Sequence, residues 1–214
     1  MTERVVPAFI AARRSIRAFV DKAVPRADLD DFVEAACLAP APHHSRPWRF
    51  VIVDTAAAKT ALARGMGAQW REDLAGDGVA RERIDELVAA SFAKLEGAPA
   101  LVVGCLTDDG LDRYPDEARR RAEHGMALLS LGAAVENLML SAADRGLASC
   151  WVAAPIFCPE AARDALDLPV EWLPHALVMV GYPDPEYIGR VRPPVPLDDL
   201  RRFTERTVSG SGGL

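Results

Sequence analysis

Three arginines and one serine fall within five residues near the start of the chain, in the run Arg13-Arg14-Ser15-Ile16-Arg17. Side chains of like charge this close together repel one another unless water or an anion screens them. A phosphate ester is a natural partner, because its oxygens match the paired N–H donors of a guanidinium group. The run therefore predicts a phosphate-binding segment, and the alternative is a basic turn covered by water.

A second polar group lies in the loop from Pro42 to Trp48, whose sequence is PHHSRPW. Its prolines forbid a helix and stiffen the segment, and an apolar strand signal, WRFVIV, follows at once. A stiff loop that leads into a strand is a good platform for a ligand. His43, His44 and Arg46 offer hydrogen-bond donors, and the indole of Trp48 offers a flat face. The alternative is a proline-rich surface turn.

A third basic pair, Arg190 and Arg192, lies on a proline-rich C-terminal segment. Common nucleotide and hydrolase motifs are missing from the sequence. No GxGxxG follows a predicted strand, and neither GxxxxGK[ST] nor GxSxG occurs. The chain therefore does not read as a Rossmann dinucleotide-binding protein, a P-loop enzyme or an α/β-hydrolase.

The charge balance and the cysteines restrict the possible partners. The 214 residues carry 25 Lys+Arg and 31 Asp+Glu, a net charge of −6, which disfavours nucleic acid and anionic membranes. Four cysteines with apolar neighbours and no CxxC pair predict buried, reduced thiols, and no secretory pattern is recognised, so a cytoplasmic protein is expected. His43 and His44 are adjacent and lack a third ligand at metal spacing, so no metal site is expected.

Hydrophobic periodicity predicts a single α+β domain over residues 1–208 and a disordered tail over residues 209–214. The predicted helices are 3–13, Ala27–Ala39, Ala56–Met66, Ala80–Leu95, Asp116–Arg145 and Pro159–Leu166. The predicted strands are Trp48–Val53, Ala100–Leu106, Leu147–Val152 and Ala176–Val180. The segment Gly65–Gly78 reads as irregular, and the prolines between Arg192 and Pro196 favour an extended arm.

The longest predicted helix is apolar almost all round from Met126 onward, so it should be central and buried. Gly125 and Gly132 lie seven residues apart on one face and permit another backbone to approach closely. Two interpretations stay open, a core helix alone or a core helix that also packs at a dimer interface.

Four segments, taken together and in order, resemble the FMN-dependent nitroreductase superfamily. They are RRSIR, APAPHHSRPWRF, GLASCWVAAPIF and VGYP followed by a basic arm. Within the superfamily the chain is most similar to the C-terminal flavin-binding domain of the coenzyme F420:L-glutamate ligase, on PHHSRPWRF, YPD…RRRAE and WVAAPIFCPE. General nitroreductases usually have Asn-x-Gln-Pro-Trp where this chain has His44-Ser45-Arg46-Pro47-Trp48.

The resemblance implies a nitroreductase-like fold, with a central mixed or antiparallel sheet, surrounding helices and a long buried helix. It also implies a homodimer with FMN at the subunit interface. The cofactor-binding residues that it implies are Arg13, Arg14, Ser15, Ile16, Arg17, His43, His44, Arg46, Val152, Ala153, Ala154, Arg190 and Arg192. Of the two arginines on the arm, Arg192 is the first choice for the phosphate.

The polar, glycine-containing segment from Gln69 to Gly78 is the predicted specificity region, with Trp70, Arg71 and Asp73 touching the substrate together with Trp48. Its alternative is a helix end and a surface loop. The expected activity is reduction of a dehydro-F420 precursor by reduced FMN, or binding of F420. A general NAD(P)H-dependent nitro or quinone reductase and a non-catalytic flavin or F420 binder remain as alternatives. No residue identifies itself as the proton donor.

Overall fold

The computed structural model describes residues 6–204, which form seven α-helices and four β-strands. The helices are α1 (Ala8–Ala12), α2 (Arg26–Cys37), α3 (Ala56–Gly76), α4 (Arg81–Glu96), α5 (Glu117–Asp144), α6 (Pro159–Ala165) and α7 (Leu197–Leu200). The strands are β1 (Trp48–Val53), β2 (Ala100–Leu106), β3 (Ala148–Val152) and β4 (Leu173–Gly181). The first five residues of the chain and the predicted tail, 209–214, lie outside the described residues.

The four strands form one antiparallel sheet in the order β1-β2-β4-β3. β1 pairs with β2 from Trp48 opposite Leu106 to Val53 opposite Leu101. The pairing of β2 with β4 shifts between Gly104 and Cys105, so that Pro174, which has no N–H to donate, enters the sheet beside an irregularity. The expected α+β class with an antiparallel sheet is thereby confirmed.

Helices cover both faces of the sheet. On one face α2 and α5 pack together and bury Phe32, Leu131 and Leu138. On the other face α3 and α6 cover the sheet, α4 packs on α3, and Leu62 and Leu177 are fully buried. Each such aliphatic or aromatic side chain contributes about 1.5–3 kcal/mol to folding, so these two clusters hold the layers together.

Helix α5 has clear signals at both ends. The Asp116 carboxylate accepts the Arg119 backbone N–H at 2.9 Å, and Gly146 ends the helix with φ 74°, a conformation that favours glycine. By length and composition α5 could cross a membrane, but it backs the sheet and packs on α2, as a core helix does. One side of it is bare within the chain, since Leu129 is 76% exposed, so the prediction of a largely buried helix holds for its other sides.

The segment Gly65–Gly78, predicted to be irregular, is helical as far as Gly76. The glycines have a packing role: a Cβ on Gly65 would lie 3.0 Å from the Ala161 carbonyl oxygen, and one on Gly67 would lie 3.2 Å from Val88. Close contact with α6 and α4 outweighs the low helix propensity of glycine, about 1 kcal/mol per residue. The prediction of an irregular segment was therefore wrong.

The four cysteines are free thiols, as expected, and three of them, Cys105, Cys150 and Cys158, are buried. Burial raises the pKa of Cys105 to about 12, so this thiol stays protonated at physiological pH. Cys37 is half-buried at the end of α2. Beyond β4 the arm, residues 183–204, has a turn at residues 185–186 and the short helix α7, and it forms no further strand among the described residues.

Candidate functional site

The run Arg13–Arg17, called here the basic strip, lies beside the edge strand β3. Ser15 forms an isolated parallel bridge with Ser149, and the Ile16 N–H donates to the Ser149 carbonyl at 3.1 Å. Farther along, the Val20 N–H donates to the Tyr182 carbonyl, and Phe19 bridges Pro183 at the start of the arm. The fold therefore places the strip between β3 and the arm.

The arm brings its two arginines onto the basic strip. The Arg192 guanidinium donates to the Arg13 carbonyl, and the Arg14 guanidinium donates to the Arg190 carbonyl. Residues about 180 positions apart in the sequence thus meet in one cluster. The structure brings together the two basic groups that the sequence analysis assigned to a phosphate.

The cluster has more positive charge than its own chain neutralises. Arg13 is paired with Glu136 of α5, whose Oε1 lies 3.0 Å from the Arg13 Nε. Within residues 6–204, Arg14, Arg17, Arg190 and Arg192 have no carboxylate partner. The contacts between the strip and the arm bring Arg14, Arg190 and Arg192 together, and unpaired guanidinium groups of this kind attract an anion and match a phosphate in particular. Sequence reasoning missed Glu136, because a single carboxylate on an apolar helix gives no motif.

The end of β3 lies next to the strip and leads into a short 3₁₀ turn, Ala154–Phe157. Val152 is the last residue of the strand, and Ala153 precedes the turn with φ −86° and ψ 6°. As the first residues of the turn, Ala153 and Ala154 have N–H groups with no acceptor inside it. These groups can donate to an acceptor outside the turn, which is the role that the resemblance gives to them.

A cavity of about 480 Å³ lies between α3, α4 and the end of β3. Its lining residues are Ala63, Met66, Gly67, Trp70, Asp73, Val88, Ser91, Phe92, Leu95, Val152, Ala154, Phe157 and Cys158. The walls are apolar, and Asp73 is their one charged side chain. The pKa of the Cys158 thiol is raised, first by burial and then by the negative charges of Asp73 and Glu160.

Two of the four residues expected to touch the substrate line this cavity, Trp70 and Asp73. They are three positions apart on α3 and therefore share a face of the helix. Arg71 points elsewhere and forms an ion pair with Asp85 of α4, so it is not part of the lining. The residues of α4, such as Val88 and Phe92, were missed because their periodicity predicts only a helix face.

Trp48 does not present a face to a ligand in this chain. Its side chain is only 4% exposed and belongs to the core cluster with Phe32 and Leu106. As the first residue of β1 it alternates inward, as strand geometry requires. The assignment of Trp48 to the substrate is therefore wrong, and its role is packing.

The loop that precedes β1, residues 42–46, carries unusual backbone strain. His43, His44 and Arg46 have φ of 53°, 54° and 49°, a region that non-glycine residues rarely adopt. Each such residue costs on the order of 1–3 kcal/mol, and such positions cluster at binding sites. The Ser45 hydroxyl oxygen is buried without a hydrogen-bond partner among the described residues. The loop is thus held in one shape against its local preference.

The sheet places this loop far from the basic strip within one chain. β1 and β3 are the two outer strands, about 14 Å apart across the sheet. The loop enters at the Trp48 end of β1, whereas Ser149 aligns through β4 and β2 with the other end. The two groups lie at diagonally opposite corners of the sheet. The expectation that His43, His44 and Arg46 lie beside the same ligand as the strip is therefore not met within a single chain.

Next to this loop is an exposed apolar groove of about 440 Å³. It is lined by Pro40, Ala41, Pro42, Met126, Leu129, Ser130 and Ala133. The bare side of α5, which carries Leu129, forms one wall, and the start of the loop forms the other. Its exposed apolar lining makes the groove a candidate interaction surface.

Comparison with known proteins gives a consistent result. The sequence profile described as "Nitroreductase family" matches residues 10–182. The chain is 30% identical over 209 residues to 5,6-dimethylbenzimidazole synthase of Rhodospirillum rubrum, covering 89% of this chain and 84% of that protein.

Two solved structures share the fold. A BluB-like flavoprotein from Clostridium difficile 630 has a TM-score of 0.73 at 21% identity, covering 92% of this chain and 97% of that one. The FMN-dependent nitroreductase NfnB from Mycobacterium smegmatis, in complex with NADPH, has a TM-score of 0.69 at 23% identity, covering 92% and 96%. The sheet and helices described above are therefore the nitroreductase-like fold.

Proposed function

Because the chain belongs to the nitroreductase family, we propose that it is an FMN-dependent oxidoreductase that passes electrons from NAD(P)H to a small organic acceptor. The single observation that carries this proposal is the meeting of the basic strip and the arm. Arginines from the two ends of the chain form one site for a dianion next to the end of β3, where the N–H groups of Ala153 and Ala154 have no acceptor inside the 3₁₀ turn.

The donor set fits the phosphate of FMN. Arg14, Arg17 and Arg192 are the proposed phosphate ligands, since they have no carboxylate partner in the described part of the chain. Arg13 and Arg190 complete the group, and Ser15 and Ile16 contribute from the strip. Arg13 is held by Glu136, which fixes its side chain before a ligand arrives.

The segment Val152–Ala154 is proposed to lie against the flavin ring. When bound, FMN supplies hydride transfer. The backbone N–H groups of Ala153 and Ala154 would donate to ring acceptors, whose negative charge grows on reduction. The apolar walls formed by α3 and α4 lower the polarity beside these hydrogen bonds, which strengthens them.

The site is proposed to be completed by a second copy of the chain in a homodimer. His43, His44 and Arg46 cannot reach the strip of their own chain, and the apolar groove beside them needs a cover. A partner packed on the bare side of α5 would bring its loop to the strip of the first chain. Sedimentation should give a species of twice 23.1 kDa, and a monomer with bound FMN would contradict this assignment.

The test of the main proposal begins with the absorption spectrum of freshly purified protein, because bound flavin is yellow. Reduction of the bound flavin by NADH or NADPH without oxygen should then be followed by turnover of a nitroaromatic compound or a quinone. A colourless protein that does not respond to added FMN would contradict the proposal. Flavin binding without repeated turnover would instead indicate a non-catalytic binder.

A narrower activity, reduction of a dehydro-F420 precursor, is supported by the PHHSRPW loop together with RRSIR. The test is to incubate the protein with FMN, a reductant and dehydro-F420-0 and to measure product mass. A gain of two hydrogens would establish this activity, and no gain with FMN bound would exclude it. The same measurement tests whether F420 is a ligand or product of this protein.

A second candidate comes from the dimethylbenzimidazole synthase relative, which is 30% identical to this chain. The same flavin-loaded preparation should be examined by mass spectrometry for 5,6-dimethylbenzimidazole. Its formation in proportion to enzyme would replace the acceptor-reductase assignment.

Four free thiols and the net charge of −6 support placing the protein in the cytoplasm, without nucleic-acid or membrane partners. Fractionation of cells that contain the native chain would test this location.

A further inference from the structure

The cavity between α3 and α4 has a charge character that can select among acceptors. Its lining contains one carboxylate, Asp73, and no lysine or arginine. The nearby arginine Arg71 is occupied by Asp85, and the arginines of the basic strip are assigned to a phosphate. An anion that entered the cavity would therefore meet a negative charge without a compensating cation in the lining.

The Asp73 side chain is held in position without being neutralised. Gln69 Nε2 donates to its Oδ1 at 3.0 Å, and a neutral amide leaves the carboxylate charge intact. Trp70, which is 37% exposed, stands on the same face of α3. An indole face next to a carboxylate favours a cation, because both the ring quadrupole and the negative charge attract it.

The remaining walls favour a flat, apolar ligand. Met66, Val88, Phe92 and Phe157 line the cavity with aliphatic and aromatic surface. A volume of about 480 Å³ lies within the range of sites for small organic molecules, roughly 300–1,000 Å³. Val152 and Ala154 form one side, so a ligand in the cavity lies next to the segment assigned to the flavin.

We propose that this cavity binds flat aromatic acceptors that are neutral or positively charged, rejects anionic ones, and owes this preference to Asp73. The inference rests on the proposed function, since it names the class of acceptor for the same site. It also disfavours acceptors that must bring a phosphate or a carboxylate into the cavity.

Three nitro compounds with the same ring test the proposal: 4-nitrobenzylamine, which is a cation at pH 7, 4-nitrobenzyl alcohol, which is neutral, and 4-nitrobenzoate. The KM should be lowest for the amine and highest for the benzoate. Asp73→Asn should reduce the ratio of the KM for the benzoate to the KM for the amine by about three- to fivefold, as loss of one charge near the surface predicts. Asp73→Lys should reverse the order.

Glu72→Lys is the matched control. It makes the same change of charge one position earlier on α3, at an exposed residue outside the cavity lining. It should leave the order of the three compounds unchanged. An equal shift in Glu72→Lys and Asp73→Lys would show a general field effect and overturn the assignment to Asp73.

Equilibrium binding of the same compounds to the protein without added FMN separates this inference from the proposed function. If no flavin binds or none of the compounds turns over, the proposed function fails, while the order of dissociation constants still measures the cavity. Tighter binding of the benzoate than of the amine, or no binding of any compound at millimolar concentration, would overturn the inference.

Discussion

Two corners of one sheet carry the residues that are proposed to bind a ligand, and they are built in opposite ways. At the β3 corner, the strip, the arm and Glu136 come from distant parts of the sequence and meet within a single chain. At the β1 corner, His43, His44 and Arg46 are close neighbours in sequence, held in strained conformations beside a groove that nothing in the described chain covers.

The difference indicates that the two corners have different roles in binding. The β3 corner can attract a phosphate by itself, because its charges already converge. The loop at the β1 corner has a fixed backbone shape, but it cannot reach the basic strip of its own chain. The strained backbone of this loop is explained if the loop contributes to the site of a second copy of the chain. Each of the following changes should affect one corner more than the other.

The largest effect is expected from Leu129→Glu at the groove. A charge on this exposed apolar position should prevent the proposed dimer, because burying an unpaired carboxylate is costly. We expect a shift to the monomer mass by light scattering and a loss of FMN affinity of about 100-fold or more. Val170→Glu, at an exposed valine outside the groove, should change neither quantity. A dimer with full affinity in Leu129→Glu would place the interface elsewhere.

The next largest effect is expected from Arg17→Ala in the basic strip. Loss of one charged hydrogen bond should weaken FMN binding by about 1.5–3 kcal/mol, measured by fluorescence titration at constant salt. Arg83→Ala removes an exposed arginine that pairs with Glu86 of the same helix and should leave the dissociation constant unchanged. An unchanged constant in Arg17→Ala would remove this residue from the site.

A moderate effect on stability is expected from Gly110→Ala beneath the loop. Gly110 has φ 78°, and an added Cβ would lie 2.9 Å from the Ser45 carbonyl oxygen. Gly78→Ala is the matched control, with φ 77° and no atom within 4 Å. Both variants should lose about 1 kcal/mol of unfolding free energy because of the backbone conformation. Gly110→Ala should lose on the order of 1–2 kcal/mol more, because its Cβ meets the loop. Equal midpoints of urea unfolding for the two variants would show that the loop moves away from the added Cβ at little cost in free energy.

The smallest effect concerns thiol labelling at the two corners. Cys150 lies on β3 under the strip, and its pKa is raised because burial outweighs the lowering by Arg17 and Arg13. Cys37, half-buried at the end of α2, is the most exposed of the four thiols. Iodoacetamide at pH 8.5 should label Cys37 before Cys150, and Cys37→Ser should abolish this first label. Rapid labelling of Cys150 would show that the strip opens readily.

Strands β1 and β2 and the long helix α5 could be predicted closely from the sequence. WRFVIV and ALVVGCL are short apolar runs between breaking residues, and their observed bounds equal the predicted ones. α5 lies one residue inside its predicted bounds at each end, because Asp116 and Gly146 are clear end signals. The convergence of the basic strip and the arm was also anticipated, through a resemblance spread along the chain.

Other features depended on contacts that local patterns do not contain. The second half of α3 is helical because Gly65 packs on α6, and β4 begins at Leu173 because an irregularity in β2 accommodates Pro174. Trp48 is buried because of the direction in which β1 faces. The separation of the two corners follows from the strand order, which the sequence did not predict.

The backbone of residues 14–17 is joined to the sheet at one point, Ser149, whose carbonyl accepts the Ile16 N–H. Such a segment can detach locally at a much lower free energy than global unfolding. Its arginines are sites for trypsin, so the free protein should be cleaved there. A bound dianion that bridges the strip to the arm would prevent this local detachment. Protection from trypsin would then measure occupancy of the phosphate site without any redox assay.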